Sequence, residues 1–202
     1  MNKLHLHIDE NIQGDFKIQD LNLLLVFQVN CPGCFHYALP TFNRLHETFA
    51  QKLGFLAVST AFEDFELNNT RNTKKLIDDG ELVGETKKSL LEQGINKLPY
   101  PLHFPVAMDK KLTHEDTPEL VEKICRLNPN FVIWSPYDQN LMRKNVMNYV
   151  IQQDEISLTF TANQFKGTPT FALFNEQYDL LDSWFGHTDV NEIINKVRSL
   201  MN

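Results

Sequence analysis

Cysteine is scarce in this chain, with three in 202 residues, too few for a disulfide scaffold. Long apolar runs are also missing. The longest near the N-terminus is Leu23 to Phe27, whereas crossing a bilayer takes about 20 residues, so no membrane span is expected. Basic charge is in deficit. Against 26 Asp and Glu stand 19 Lys and Arg, a formal net charge of −7. A nucleic-acid backbone or an anionic membrane surface calls for a basic face, so neither is an expected partner. The first residues, Met1-Asn2-Lys3-Leu4-His5-Leu6-His7, lack the apolar core of about 7–15 residues that a secretory signal needs. Cytoplasmic residence is the expectation, or an extracytoplasmic one if a leader has been trimmed away.

What is present is 42% hydrophobic and 22% charged, the make-up of an ordinary globular protein. A chain of this length buries roughly 70% of its unfolded surface. Neither a metal nor a disulfide is required to hold it together. With no repeat, low-complexity tract or linker, residues 1–202 read as a single domain.

Hydrophobic periodicity gives the elements. Leu4 to Ile8 alternates as a short strand, Asn11 to Gly14 turns it, and Phe16 to Ile18 pairs back. Leu23 to Phe27 is apolar on both faces, as a central covered strand should be. A helical stripe follows at Phe35, Ala38, Leu39, Phe42, Leu45 and Phe49, with Pro40 inside it as an expected bend. Gly54 to Ser59 is a second buried strand. Residues 68–94 read as two exposed helices stopped by Gly80 and Gly94, and Val106 to Met108 as a short strand. Residues 112–156 form an inserted helical segment, opened by Thr117-Pro118-Glu119. The chain closes with strands at Thr170 to Phe174 and Leu180 to Phe185, then a helix carrying Val190, Ile193, Ile194, Val197, Leu200 and Met201. Strand–helix–strand units followed by a hairpin and a helix predict an α/β fold, a mixed sheet covered by helices on both faces.

Chemistry concentrates in Cys31-Pro32-Gly33-Cys34, where a buried strand gives way to a helix. The first turn of a helix offers unpaired N–H groups and the positive end of its dipole, and both favour a thiolate. Cys31 is the predicted nucleophile and Cys34, one turn in, the resolving thiol. Their spacing suits an intramolecular disulfide. A structural zinc site needs four ligands, and no second pair accompanies this one. Cys125 stands alone on the inserted helix. A c-type haem needs His straight after Cys34, where Phe35 stands. Far along the chain, Gly167-Thr168-Pro169-Thr170 leads into a strand, and a proline at that point can take the cis form.

Taken together, the Cys31-Pro32-Gly33-Cys34 turn, a proline inside the next helix, Gly167-Thr168-Pro169-Thr170 and the terminal helix resemble the thioredoxin superfamily. The long segment before Val106 to Asp109 is similar to its TlpA/ResA-like, peroxiredoxin-related branch. The resemblance implies a thioredoxin-like sheet with a helical insertion at about 112–156. It also implies a thiol–disulfide oxidoreductase without a bound cofactor, fed by an upstream protein electron donor and acting on a dedicated protein disulfide. By it, Cys31 attacks, Cys34 resolves, Pro169 faces the pair, and Pro32, Gly33 and Thr168 contact substrate, the Thr168 backbone holding an extended segment. Glu63 is the positional match for a buried proton acceptor. Three departures stand out. Asn30 replaces a common Trp, Pro40 lies six rather than five residues after Cys34, and the insertion is large. A thiol peroxidase is a second reading, weakened because Gln28 stands where that chemistry usually places Thr. A non-catalytic binding module built on the same fold is a third.

Overall fold

The computed structural model describes residues 3–201. In chain order they form β1 (Ile8–Gln13), β2 (Leu21–Phe27), α1 (Leu39–Phe49), β3 (Gly54–Ser59), α2 (Thr70–Asp79), α3 (Gly84–Leu91), β4 (Val106–Asp109), α4 (Thr117–Arg126), α5 (Pro136–Ile151), α6 (Leu158–Ala162), β5 (Thr170–Asn175), β6 (Leu180–Phe185) and α7 (Val190–Met201). The strands make one mixed sheet in the order β1-β4-β3-β2-β5-β6. β2, β3 and β4 run parallel, while β1, β5 and β6 run against their neighbours. Every residue of β2 and β3 is buried, which follows from their apolar character on both faces and places them in the middle of the sheet.

Alternation along the strands splits the core in two. Leu23, Leu25, Phe27, Phe55, Ala57, Phe171 and Leu173 point to the side covered by α1, α2, α3 and α7. Leu24, Val26, Leu56, Val58, Ala107 and Ala172 point to the other, covered by Leu4, Leu6, Phe16 and Phe160 of α6. Phe42 lies at the centre of the first side, edge-on to Phe55 and Phe104 with ring centroids 5.3 and 4.6 Å away.

The N-terminus differs from its sequence pattern. The strand is Ile8–Gln13, paired antiparallel with β4 at the sheet edge, and the 16–18 segment pairs with nothing. Leu4 and Leu6 instead pack flat over the second core. Burying them there outweighs the local alternation.

The insertion has a small core of its own, from Leu120, Val121, Cys125, Phe131, Val150, Ile156 and Leu158. Arg143 of α5 pairs with Glu122 of α4 and lies over the Phe131 ring. Its return to the sheet is held by Asp109, the last residue of β4. The carboxylate accepts from the Thr159 and Phe160 N–H groups at 2.8 and 3.0 Å and from the Thr60 hydroxyl at 2.8 Å. Burial nevertheless raises its pKa to about 6. A carboxyl whose folded pKa lies above the unfolded one, near 3.8, adds stability at low pH. That addition is lost as pH rises through about 6. The stability difference between wild type and Asp109→Asn is therefore expected to shift by about 2 kcal/mol in the variant's favour from pH 4.5 to 7.5. Urea unfolding at both pH values measures it, and an unchanged difference would show that the carboxyl stays ionised throughout.

Candidate active site: a dithiol at the sheet edge of helix one

β2 ends at Phe27, and the chain reaches Cys31 over Gln28, Val29 and Asn30. Residues Cys34–Ala38 then form one π-helical turn, closed by the Leu39 N–H on the Cys34 carbonyl, before α1 continues. A π-turn takes one residue more than an α-turn. The helix is unbroken from 32 to 49, so Pro40 lies inside it, and the π-turn directly before it takes up the extra residue between Cys34 and Pro40. The irregularity expected around Pro40 takes the form of this π-turn.

The two thiols face each other at the mouth of the helix. Both are free, with their sulfurs 2.6 Å apart. Cys31 is half-buried and Cys34 fully buried. The Cys34 N–H points at Cys31 Sγ at 3.3 Å. Hydrogen bonding from the Cys34 thiol is the main influence that pulls Cys31 down to about 7, with the Cys34 and Gly33 backbone adding to it against the cost of burial. Burial, followed by the adjacent Cys31, pushes Cys34 well above the ordinary thiol range. One thiol is thus partly ionised near neutrality while its neighbour keeps its proton.

The Thr168–Pro169 loop closes the opposite side. Cys31 Sγ lies 3.7 Å from the Thr168 carbonyl, the peptide bond to Pro169 is cis, and a Cβ at Gly33 would sit 3.9 Å from Pro169 Cδ. Cys31, Cys34, Gly33, Thr168 and Pro169 therefore meet, although 137 residues separate Cys31 from Thr168. Gly167 is pinned under Phe185, whose ring would lie 2.8 Å from a Cβ there.

Glu63 does not join them as a buried acid. Its side chain is exposed, and what it lends to the site is its backbone carbonyl, which accepts from Asn68 Nδ2 at 2.9 Å and Gln28 Nε2 at 3.5 Å. The chain after β3 turns outward at Asp64, which has a φ of 49°, and carries the acidic side chains with it. The buried polar side chain nearby is Gln28, 1% exposed, which reaches the Thr168 hydroxyl at 2.9 Å.

Asn30, which stands where the resemblance leads one to expect Trp, makes hydrogen bonds that the motif does not show. Its Nδ2 donates to Asp64 at 2.8 Å, its Oδ1 accepts the Glu85 N–H at 2.7 Å, and its own N–H donates to Asn68 at 2.9 Å. One amide thus ties the residue before Cys31 to the loop after β3 and to the start of α3. Tyr37 plays a similar part on the other flank, where its hydroxyl accepts the Thr188 N–H at 2.6 Å and donates to the Thr188 carbonyl. His36 is exposed and bonds Ser89. Cys125 is enclosed in the insertion's own core.

Among solved structures, the whole chain superposes on a thiol–disulfide isomerase from Corynebacterium glutamicum. The TM-score is 0.62 at 18% identity, with 96% of that chain covered. The fold is thioredoxin-like. A thioredoxin-like superfamily protein matches 99% of this chain and 96% of its own, with a TM-score of 0.59 at 18% identity. No protein-family model matches the sequence, and no curated protein matches it significantly. In the thioredoxin-like frame, the dithiol between β2 and α1 faces the Thr168–Pro169 loop before β5. No helix among the described residues is long and apolar enough to cross a membrane.

Proposed function

We propose that the protein is a thiol–disulfide oxidoreductase of the TlpA/ResA-like kind, whose Cys31–Cys34 dithiol reduces a disulfide in a dedicated protein partner. The observation that carries this reading is the division of labour between the thiols, with Cys31 reachable and drawn toward ionisation and Cys34 enclosed and protonated 2.6 Å away. Cys31 thiolate attacks one sulfur of the partner disulfide. A mixed disulfide forms and the other partner sulfur leaves as thiolate. Cys34 then gives up its proton and attacks Cys31 Sγ, which releases the second partner thiol and leaves a Cys31–Cys34 disulfide. Two electrons have passed to the partner, and an upstream protein dithiol restores them. Forming the mixed disulfide removes the Cys31 hydrogen bond and charge that help to hold the Cys34 proton, and the departing partner thiolate then accepts it, without the exposed Glu63 side chain. The Thr168 carbonyl beside Cys31 is the backbone group against which an extended partner segment would align.

The reduction potential tests the reading. The protein is equilibrated across glutathione buffers and its free thiols are counted by alkylation and mass spectrometry. A two-electron transition near or below about −240 mV is expected and marks a reductant at home in the cytoplasm. A value near −150 mV would reverse the direction and mark a disulfide donor outside it. If no Cys31–Cys34 disulfide forms at any poise, the enzyme reading fails and a binding module takes its place.

A further inference from the structure

Gln28 is buried, immediately follows β2 and takes no direct part in the exchange described above. Its side chain nevertheless reaches two segments that border the site. Nε2 lies 3.5 Å from the Glu63 carbonyl on one side, and Oε1 lies 2.9 Å from the Thr168 hydroxyl on the other. A carbonyl oxygen only accepts, so the amide nitrogen must face Glu63 and the amide oxygen must face Thr168. The flipped amide would set two acceptors against each other. Thr168 is therefore the donor in its bond to Gln28, and a hydroxyl has one proton to give. The same residue's carbonyl lies 3.7 Å from Cys31 Sγ, so the hydroxyl belongs to a residue already in contact with that sulfur, where a proton aimed at it would favour a thiolate.

We propose that Gln28 is a positioning residue for the dithiol: its oriented amide holds the Thr168 hydroxyl proton away from Cys31 and braces the proline loop against the loop after β3. Without it the hydroxyl is free to turn and donate to the Cys31 thiolate. A better-stabilised thiolate makes the reduced pair easier to keep and the protein a weaker reductant. Gln28 therefore keeps the pair reducing, at the expense of a less ionised nucleophile. This consequence rests on the oxidoreductase reading, but the coupling of Gln28 to Cys31 through Thr168 does not.

The test is the pH profile of Cys31 alkylation by iodoacetamide in Gln28→Leu, Thr168→Val and the double variant. Leucine fills the amide's space, and the Glu63 carbonyl keeps its bond from Asn68. Gln28→Met serves if the leucine variant does not fold. The charged side chains of the flanking segments, Glu63, Asp64 and Glu66 after β3 and Glu85 of α3, are the same throughout and cancel. Gln28→Leu is expected to raise the alkylation rate at pH 6 by about fivefold, the worth of one hydrogen bond to a charged sulfur. In the Thr168→Val background the same change should do nothing. An unchanged rate in the single variant, or an equal rise without the Thr168 hydroxyl, would overturn the proposal. Should wild type form no disulfide, the oxidoreductase reading fails while the alkylation profile still decides the role of Gln28.

Discussion

Replacing Cys31 by serine is expected to abolish disulfide reduction, by about a thousandfold or more, whereas Cys34→Ser should keep the first attack and lose turnover. With a pKa of about 7, Cys31 is close to half ionised at neutral pH, and the thiolate is the attacking species. A serine hydroxyl in the same place stays protonated, since the site holds no general base beside it. Removing Cys34 leaves the nucleophile but takes away the sulfur that resolves the mixed disulfide. The covalent adduct should then accumulate one to one with a disulfide-bonded peptide and be visible by mass. Its rate of formation in wild type should fall about tenfold per pH unit below 7, as the thiolate is lost. Exchange that survives in Cys31→Ser, or a Cys34→Ser protein that turns over, would remove the assignment of roles. Cys125 offers no rescue, being enclosed in the insertion's own core.

Gly84→Ala is the substitution expected to cost the most stability near the site, about 2–4 kcal/mol. Gly84 has a φ of 50°, in the left-handed region where a side chain is strained. A Cβ there would also stand 2.2 Å from Asn30 Oδ1 and 2.7 Å from Leu67 Cδ1. Asn30 would have to move, and with it the bonds to Asp64 and Glu85 that hold the residue before Cys31. Gly94→Ala supplies the control. Its φ is 77° but nothing lies within 4 Å of the added Cβ, so it should carry only the backbone strain, about 1 kcal/mol. Denaturant midpoints of the two variants give the difference. Equal losses would mean that the Asn30 contact relaxes freely and that the amide does not pin the two segments.

The sheet was legible in the sequence wherever an element is decided by its own residues. Leu23 to Phe27 and Gly54 to Ser59 announce buried strands because a run apolar on both faces has nowhere else to go. Gly80 stops α2 in a left-handed conformation that a glycine adopts at no steric cost. The π-turn left its trace as a proline one residue late. The N-terminal strand was misplaced because alternation at Leu4 to Ile8 fits either a strand or a segment laid across a core, and the second core chose the latter.

Within the site, the chain itself placed two cysteines one turn apart at a strand-to-helix corner, where a backbone N–H points at the first. Only the tertiary structure decided what surrounds them. Thr168 meets Cys31 across 137 residues, Gln28 rather than Glu63 is the buried polar side chain that reaches Thr168, and Asn30 joins Asp64 and Glu85, 34 and 55 residues further on. A short motif sets which atoms can react because bonded neighbours fix its geometry. The groups that tune those atoms arrive through packing between distant segments, and that depends on the whole sheet having formed.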